Sequence, residues 1–97
     1  MHARVTIAQS KPGKIDEIIR IQRESVVPAA KQQKGFKGLY LLIDRKNNKG
    51  ITIGLWETEA DMTASEASGY YQQQIAKFKD VLSAPPMRED YEVSIQP

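Results

Sequence analysis

The alternation of hydrophobic and polar residues predicts the order of elements in the first half of the chain. Residues 2–9 alternate with a period of two, which is typical of a β-strand. Residues 14–33 repeat with the period of a helix, and we expect Pro28 to kink or restart it because proline lacks an amide donor. Two apolar runs, 39–43 and 51–56, are joined by a polar turn, a pattern that predicts a β-hairpin.

The second half of the chain predicts further helix and a last strand. Thr58, followed three positions later by an acidic residue, resembles a capping box and begins a short helix at about 59–67. A second helical segment is expected from 70 to about 82, and alternation at 91–95 predicts a strand. The order β-α-β-β-α-β predicts an α+β ferredoxin-like plait, with a four-stranded antiparallel sheet and helices on one face, as a single domain over residues 1–97.

Both strands of the predicted hairpin are apolar on both faces. A half-exposed antiparallel strand would instead alternate apolar with polar residues. The helices can cover only one face of the sheet, so we expect a second copy of the chain to cover the other, in a homodimer with facing sheets. In the first strand, the two faces consist of Phe36, Gly38, Tyr40 and Leu42 on one side and Leu39, Leu41 and Ile43 on the other.

Composition narrows the chemistry that the chain can carry. It has no cysteine and a single histidine, His2, which excludes disulfides, zinc–thiolate sites and centres built from several histidines. The formal charge is +2, so nothing demands nucleic acid as a partner, and the densest basic patch, at 31–37, is interpreted as a solubilising surface near a helix end. No apolar run approaches the roughly 20 residues that span a bilayer, and no signal peptide is recognised. We therefore expect no membrane partner and a cytoplasmic location.

The plait would bring several polar side chains together. In this topology the first and third strands are central neighbours, so Thr6 and Thr52 are expected on adjacent strands, with Trp56 on the Thr52 face. If this face looks towards the helices, the result is an apolar cavity with a few hydroxyl and amide groups, which suits a small, flat, mostly apolar ligand. The helix residues expected to close over it are Gln22 and either Tyr71 or Gln74.

Each of these residues also has a purely structural interpretation. Gln22, in the middle of an apolar helix stripe, would also serve as a hydrogen-bonded core residue. Trp56 could fill a solid core with Tyr71 packed beside it. The carboxylates of Asp61 and Glu66 are interpreted as helix caps or solvated side chains rather than as a catalytic pair.

Several short motifs occur in a fixed order along the chain: Gly35-Phe36-x-Gly38, the apolar strand with Asp44, Leu55-Trp56-Glu57, Glu59-Ala60 and Tyr70-Tyr71, with Gly13 ahead of the first helix. In their order and spacing they resemble the antibiotic-biosynthesis monooxygenase domain over essentially the whole chain. The resemblance implies a dimeric α+β barrel. Some members oxidise polycyclic phenols or quinols with molecular oxygen and no cofactor, whereas others degrade haem, isomerise or bind small metabolites.

The resemblance also assigns residues. Trp56 matches the family tryptophan at the end of the third strand, and Tyr71, or alternatively Tyr70, matches a helix tyrosine that can approach the pocket. Thr52 stands where cofactor-free oxygenases can carry an asparagine. The haem-degrading branch uses an asparagine and a histidine, and without an imidazole the usual haem ligation cannot form. The places of those two residues are taken here by Thr6 and, approximately, Gln74.

These observations leave two functions and one structural alternative open. The first function is a monooxygenase without cofactors that acts on a quinol or activated aromatic, with Trp56 as aromatic wall, Tyr71 as hydrogen-bond donor, and Thr52 and Gln22 as orienting contacts. This reading has no obvious general base. The second is a non-catalytic dimer that binds a metabolite or a partner. If the tryptophan face is instead solid core, no pocket exists.

Overall fold

The computed structural model describes residues 1–97 and contains one four-stranded antiparallel sheet. The strands are β1 (His2–Gln9), β2 (Phe36–Asp44), β3 (Lys49–Trp56) and β4 (Met87–Glu92). Their order across the sheet is β2-β3-β1-β4, so β1 and β3 are the central neighbours. This order confirms the predicted ferredoxin-like plait.

The first helical region changes its hydrogen-bonding pattern in the middle. It consists of α1 (Ile15–Ile21), a π-helical segment (Gln22–Val26) and α2 (Val27–Ala30). The Val27 amide donates to the carbonyl of Gln22, five residues back. Pro28 follows at once, and its ring would clash with the carbonyl four residues before it in a regular α-helix. The wider π turn avoids that clash, which explains the irregularity predicted at Pro28.

Two shorter helices follow the hairpin, α3 (Glu59–Ala67) and α4 (Tyr70–Ala76). The Thr58 hydroxyl accepts a 3.0 Å hydrogen bond from the Asp61 amide, so the predicted N-cap is present. Gly69, with a φ of +85°, lies between the two helices and allows the sharp change of direction.

The prediction of a helix from residue 70 to about 82 is wrong at its C-terminal end. The α-helix stops at Ala76 and the chain continues in turns, with the Lys77 and Phe78 amides donating to carbonyls three residues back, before it bonds to the segment that leaves β1. The Val81 carbonyl accepts from the Lys11 amide at 2.9 Å, and the Ser83 amide donates to the Gln9 carbonyl at 2.9 Å. These bonds require an extended rather than a helical backbone near residue 82, which forms an isolated bridge with Ser10.

The last strand lies earlier than the predicted 91–95. β4 begins at Met87 and ends at Glu92. Its extent follows from its only neighbour in the sheet, since Glu92 pairs with His2 at the very start of β1. The chain after Glu92 has no strand beside it, so the alternation of Val93 and Ile95 does not produce sheet.

A β-bulge at the start of β2 changes one predicted side-chain direction. The pairing register shifts between Phe36 and Gly38, which lie opposite Trp56 and Leu55. Phe36 therefore points to the same side as Leu39, towards the helices, and not to the face of Tyr40 as the simple alternation predicts.

The two faces of the sheet differ in how they are covered. The helices cover the face of Leu39 and Leu41, where the main cluster of buried residues is formed by Ile18, Val26, Phe78 and Val81. The opposite face, which we call the outer face, is apolar but uncovered, and Tyr40 on it is 62% exposed. The apolar residues of the outer face are Ala3, Val5, Ile7, Tyr40, Leu42, Ile51, Ile53, Leu55, Met87 and Tyr91, and Glu89 lies on the same face opposite Val5.

Candidate functional site

A cavity of about 90 Å³ lies between the helices and the inner face of the sheet. Its floor on the central strand β3 is made of small residues, Gly50, Thr52 and Gly54, which alternate along the strand and leave the volume above them unfilled. Its walls are mainly apolar. They include Leu39 and Leu41 from the sheet and Val26, Ile75 and Phe78 from the helical side. The alternative of a solid tryptophan core, which predicts no cavity, does not describe this structure.

Gln22 reaches the cavity floor from the π-helical segment. Its side-chain Nε2 donates to the Thr52 hydroxyl oxygen at 2.9 Å. Gln22 is 7% exposed, and its other polar atom, Oε1, is buried without a hydrogen-bond partner. Only one of the two polar groups of the Gln22 side chain is thus hydrogen-bonded, unlike those of an ordinary core glutamine. The position of Gln22 in a π turn is also notable, because π turns widen a helix, re-aim its side chains and often occur at functional sites.

Thr6 and Tyr71 form a second polar pair across the cavity. Their hydroxyl oxygens lie 2.9 Å apart, one on β1 and one on α4. Thr6 pairs directly with Thr52 in the sheet, as the plait topology predicted. Two hydroxyl groups carry two protons and their mutual bond uses one, so one O–H donor remains for a ligand.

Trp56 ends the inner face of β3 and is 2% exposed. Its ring meets Phe36 edge-on, with centroids 5.7 Å apart. Its indole Nε1 is buried and has no acceptor in the protein. This nitrogen lies beside Gly54, where a Cβ atom would come within 3.6 Å of it. Trp56 therefore forms part of the cavity wall and carries an indole N–H that is not used within the protein.

Arg4 is the main residue of this site that sequence reasoning missed. It lies on the inner face of β1, two residues before Thr6, and is 6% exposed. Its Nη2 donates to the Met62 carbonyl at 2.8 Å and to the Ser65 hydroxyl at 2.6 Å. Its Nε is buried without a partner. The alternation of β1 already places Arg4 on the same face as Thr6, and this was the sequence signal for a buried arginine. Charged residues are rarely buried unless they are paired, so such an arginine would also have required a partner.

Glu66 corrects the view that the carboxylates of this chain are only caps or solvated groups. Its carboxylate lies between two guanidinium groups, 3.1 Å from Arg4 Nη2 and 3.1 Å from Arg88 Nη1. The guanidinium carbon of Arg4 is 4.3 Å from the Tyr71 ring centroid, and that of Arg88 is 5.5 Å from it. Tyr71 is thus held by cation–π contacts as well as by its hydroxyl.

Tyr70 and Gln74, the remaining predicted residues, also line the cavity from α4. Burial raises the pKa of the Tyr70 hydroxyl, and the positive charge of Arg4 partly offsets this effect. Gln74 is buried, and its Oε1 accepts a 2.7 Å hydrogen bond from Lys77 Nζ. All seven residues selected from the sequence therefore lie around one cavity: Thr6, Gln22, Thr52, Trp56, Tyr70, Tyr71 and Gln74.

The chain belongs to the antibiotic biosynthesis monooxygenase family, whose sequence model matches residues 1–77. An uncharacterized protein of Mycobacterium tuberculosis is 35% identical over 65 residues, which cover 67% of this chain. The match spans only 28% of the length of that relative.

Solved structures with the same fold cover nearly all of the chain. A protein of unknown function from Nitrosomonas europaea superposes with a TM-score of 0.80 at 20% identity, over 99% of this chain and 91% of its own. SnoaB, a cofactor-independent oxygenase from Streptomyces nogalater, superposes with a TM-score of 0.76 at 14% identity, over 98% and 94% of the two chains. At these identities the likeness establishes the fold.

Three further features bear on the class of site. No cluster of three or more histidine, aspartate or glutamate residues is placed to hold a metal ion. The helices are all too short or too polar to cross a lipid bilayer. The residues that line the cavity include neither a carboxylate nor an imidazole.

Proposed function

We propose that the cavity binds a small, mostly apolar aromatic molecule and that the chain is a monooxygenase without cofactors for a quinol or similarly activated aromatic. The observation that carries this proposal is the convergence of Trp56, the Thr6–Tyr71 pair and the Gln22–Thr52 pair on one apolar cavity. Membership of the monooxygenase family and the shared fold with a cofactor-independent oxygenase support the reaction type.

The reaction balances with the substrate as its own reductant. A quinol or anthrone-like carbon loses two hydrogens and gains one oxygen atom as a carbonyl, while the second oxygen atom of O₂ leaves as water. The protein has to bind the substrate, hold its oxygen substituent and exclude solvent. Trp56 would form the aromatic wall, the spare hydroxyl proton of the Thr6–Tyr71 pair would donate to a substrate oxygen, and Gln22 with Thr52 would set its orientation.

The cavity lining supplies no obvious acceptor for the proton that the substrate loses. The proposal therefore requires a substrate that is already acidic and enters partly ionised. Anthrones and hydroxylated quinols meet this requirement, because their conjugate bases are stabilised by the ring system.

Oxygen consumption by the purified protein tests this proposal, with a panel of quinols and anthrone-like phenols as substrates. We expect catalysed uptake that falls at least about a hundredfold in Trp56→Ala, because both the wall and the indole donor are lost. Lys46→Ala, in the exposed hairpin turn, is the control and should keep the activity of the parent. Uptake that is the same with and without protein would contradict the proposal.

A non-catalytic binding module is the second candidate, and the absence of a base among the cavity residues favours it. In that case the same contacts hold a metabolite without turning it over. Native mass spectrometry of the protein purified from its source would then show a stoichiometric, unreacted small molecule, and Trp56→Ala would lose it.

We also propose that the chain assembles as a homodimer through the outer face. Members of the family are commonly dimeric. The outer face carries apolar residues on all four strands and lies opposite to the helices. A second sheet packed against it would bury Tyr40, Leu42, Met87 and Tyr91, with Glu89 of β4 on the same face.

A further inference from the structure

Three residues that line the cavity each carry a buried polar atom without a hydrogen-bond partner: Arg4 Nε, Trp56 Nε1 and Gln22 Oε1. The side chains that carry them are all more than nine-tenths buried. A buried polar atom without a partner is costly, and several of them around one cavity are unusual in a native protein. Two of these atoms are donors and one is an acceptor, which defines the polar groups that a ligand would need.

The donor side of this arrangement is positively charged. Arg4 and Arg88 share the single carboxylate of Glu66, so two positive charges face one negative charge. Asp90 is 3.9 Å from Arg88 but is exposed to solvent, which screens its charge. All protein hydrogen bonds of the Arg4 side chain are made by Nη2, on the side of α3. Its buried Nε makes no hydrogen bond within the protein, and the Arg4 side chain lines the cavity.

The aromatic surroundings of Arg4 favour a flat ligand. Its guanidinium carbon is 4.3 Å from the Tyr71 ring centroid and 5.5 Å from that of Trp56. The guanidinium is thus fixed between two rings with its remaining donors held in one plane, which suits an oxygen in the plane of an aromatic system.

We infer that Arg4 makes this cavity selective for a small planar aromatic acid bound as its anion, with Arg4 Nε and Trp56 Nε1 donating to the ionised oxygen and Gln22 Oε1 accepting from a ligand hydroxyl. This inference rests on the proposed ligand-binding role of the cavity.

Binding of a matched pair of probes tests the inference without any need for turnover. The probes are 6-hydroxy-2-naphthoate and its neutral methyl ester, which share ring system and hydroxyl but differ in charge. Isothermal titration calorimetry should show that the acid binds at least about tenfold more tightly than the ester, because hydrogen bonds to a charged oxygen are roughly twice as strong as neutral ones. If the ester binds as tightly as the acid, the inference is overturned while ligand binding stands. If neither binds, the proposed ligand-binding function fails as well.

The variant Arg4→Met tests whether Arg4 is responsible for the preference for the acid over the ester. The variant removes the charge but leaves no acceptor stranded, since Ser65 still donates to the Met62 carbonyl and Glu66 keeps Arg88. We expect it to abolish the preference for the acid while the affinity for the ester changes by less than about threefold. Arg88→Met is the matched control, because Arg88 shares Glu66 but does not line the cavity. If both variants lose the preference for the acid equally, the preference comes from the overall positive charge near the cavity, and a direct contact with Arg4 is overturned.

Arg4→Lys keeps the test decisive if Arg4→Met does not fold, which thermal unfolding would reveal. Lysine can still pair with Glu66 but cannot present a planar N–H at the position of Nε. The preference for the acid should then fall at least about threefold. An unchanged preference in a folded Arg4→Lys protein would overturn the inference.

Discussion

The hydroxyl groups of Thr6 and Tyr71 lie 2.9 Å apart, although 65 residues separate them in the chain. Both residues are half-buried, so water competes only partly for this bond. It connects the central strand β1 to α4, the helix that closes the cavity. Its contribution to stability should therefore be measurable.

A double-mutant cycle of Thr6→Val and Tyr71→Phe measures this contribution. We expect a coupling of about 1 kcal/mol in the free energy of unfolding, the usual net value of one protein hydrogen bond. Urea denaturation of the four proteins gives the values. Thr6→Val combined with Tyr40→Phe, a tyrosine on the outer face, is the control and should show no coupling. Strict additivity of Thr6→Val and Tyr71→Phe would contradict the bond.

The contact between Gln22 and Thr52 predicts an unequal response to single and double substitution. Thr52→Val removes the acceptor and leaves the Gln22 amide wholly unpaired, which should cost about 1–3 kcal/mol of stability. Adding Gln22→Leu removes the stranded amide, so the double variant should be more stable than Thr52→Val alone. Thermal unfolding checks the order. A double variant that is less stable than Thr52→Val would show that Gln22 is satisfied in another way.

Tyr70 should make the protein less stable at alkaline pH. Burial raises the pKa of Tyr70 in the folded state, so the unfolded chain loses this proton first. The stabilisation is present below the ordinary tyrosine pKa of about 10 and is lost as the pH rises through the folded value. Compared with the parent, Tyr70→Phe should lose less stability between pH 8 and pH 11.

The comparison of the parent with Tyr70→Phe needs a control for a second tyrosine, Tyr91. A hydrogen bond with Glu89 raises the pKa of Tyr91 too, so the parent also contains an alkaline effect of the same sign from the outer face. Tyr91→Phe should therefore be measured beside Tyr70→Phe under the same conditions. Parallel curves for the parent and Tyr70→Phe would contradict the effect of burial on Tyr70.

The proposed dimer predicts that a charge on the outer face separates the subunits without unfolding them. Tyr40 is largely exposed in the single chain, so Tyr40→Glu should leave the protomer folded but place an unpaired charge in the interface. Sedimentation equilibrium should show a dimer for the parent and, for the variant, a dimer dissociation constant that is at least about tenfold higher. Lys46→Glu, in the exposed hairpin turn, is the charge control. A parent that is monomeric at micromolar concentration would contradict the dimer.

The fold could be predicted from the sequence because its signals are local and agree with one another. Period-two alternation marks β1, the polar turn marks the hairpin, and the Thr58 cap marks the start of α3. The predicted bounds of α4 and β4 were wrong because segments distant in the sequence decide the structure there. The bonds that Lys11 and Gln9 make with Val81 and Ser83 give an extended backbone near residue 82, and the length of β1 sets that of β4.

The candidate site was predictable to the extent that it follows from topology. Once β1 and β3 are neighbours, Thr6, Thr52 and Trp56 must share a face, and the structure places them there. Arg4 occupies the same face by the same alternation, yet a charged side chain on a strand is ordinarily assigned to solvent. Only the position of Glu66 and Ser65 on α3, more than 60 residues away, shows how its charge can be buried.

The sequence by itself therefore determined the order of elements, the two apolar faces of the sheet and the set of residues that can meet inside it. The tertiary structure alone decided that the interior contains a cavity and which polar atoms around it stay unpaired. The physical reason is that periodicity depends on neighbours a few residues apart. Packing and hydrogen bonding depend on distances between segments that the chain brings together only when it folds.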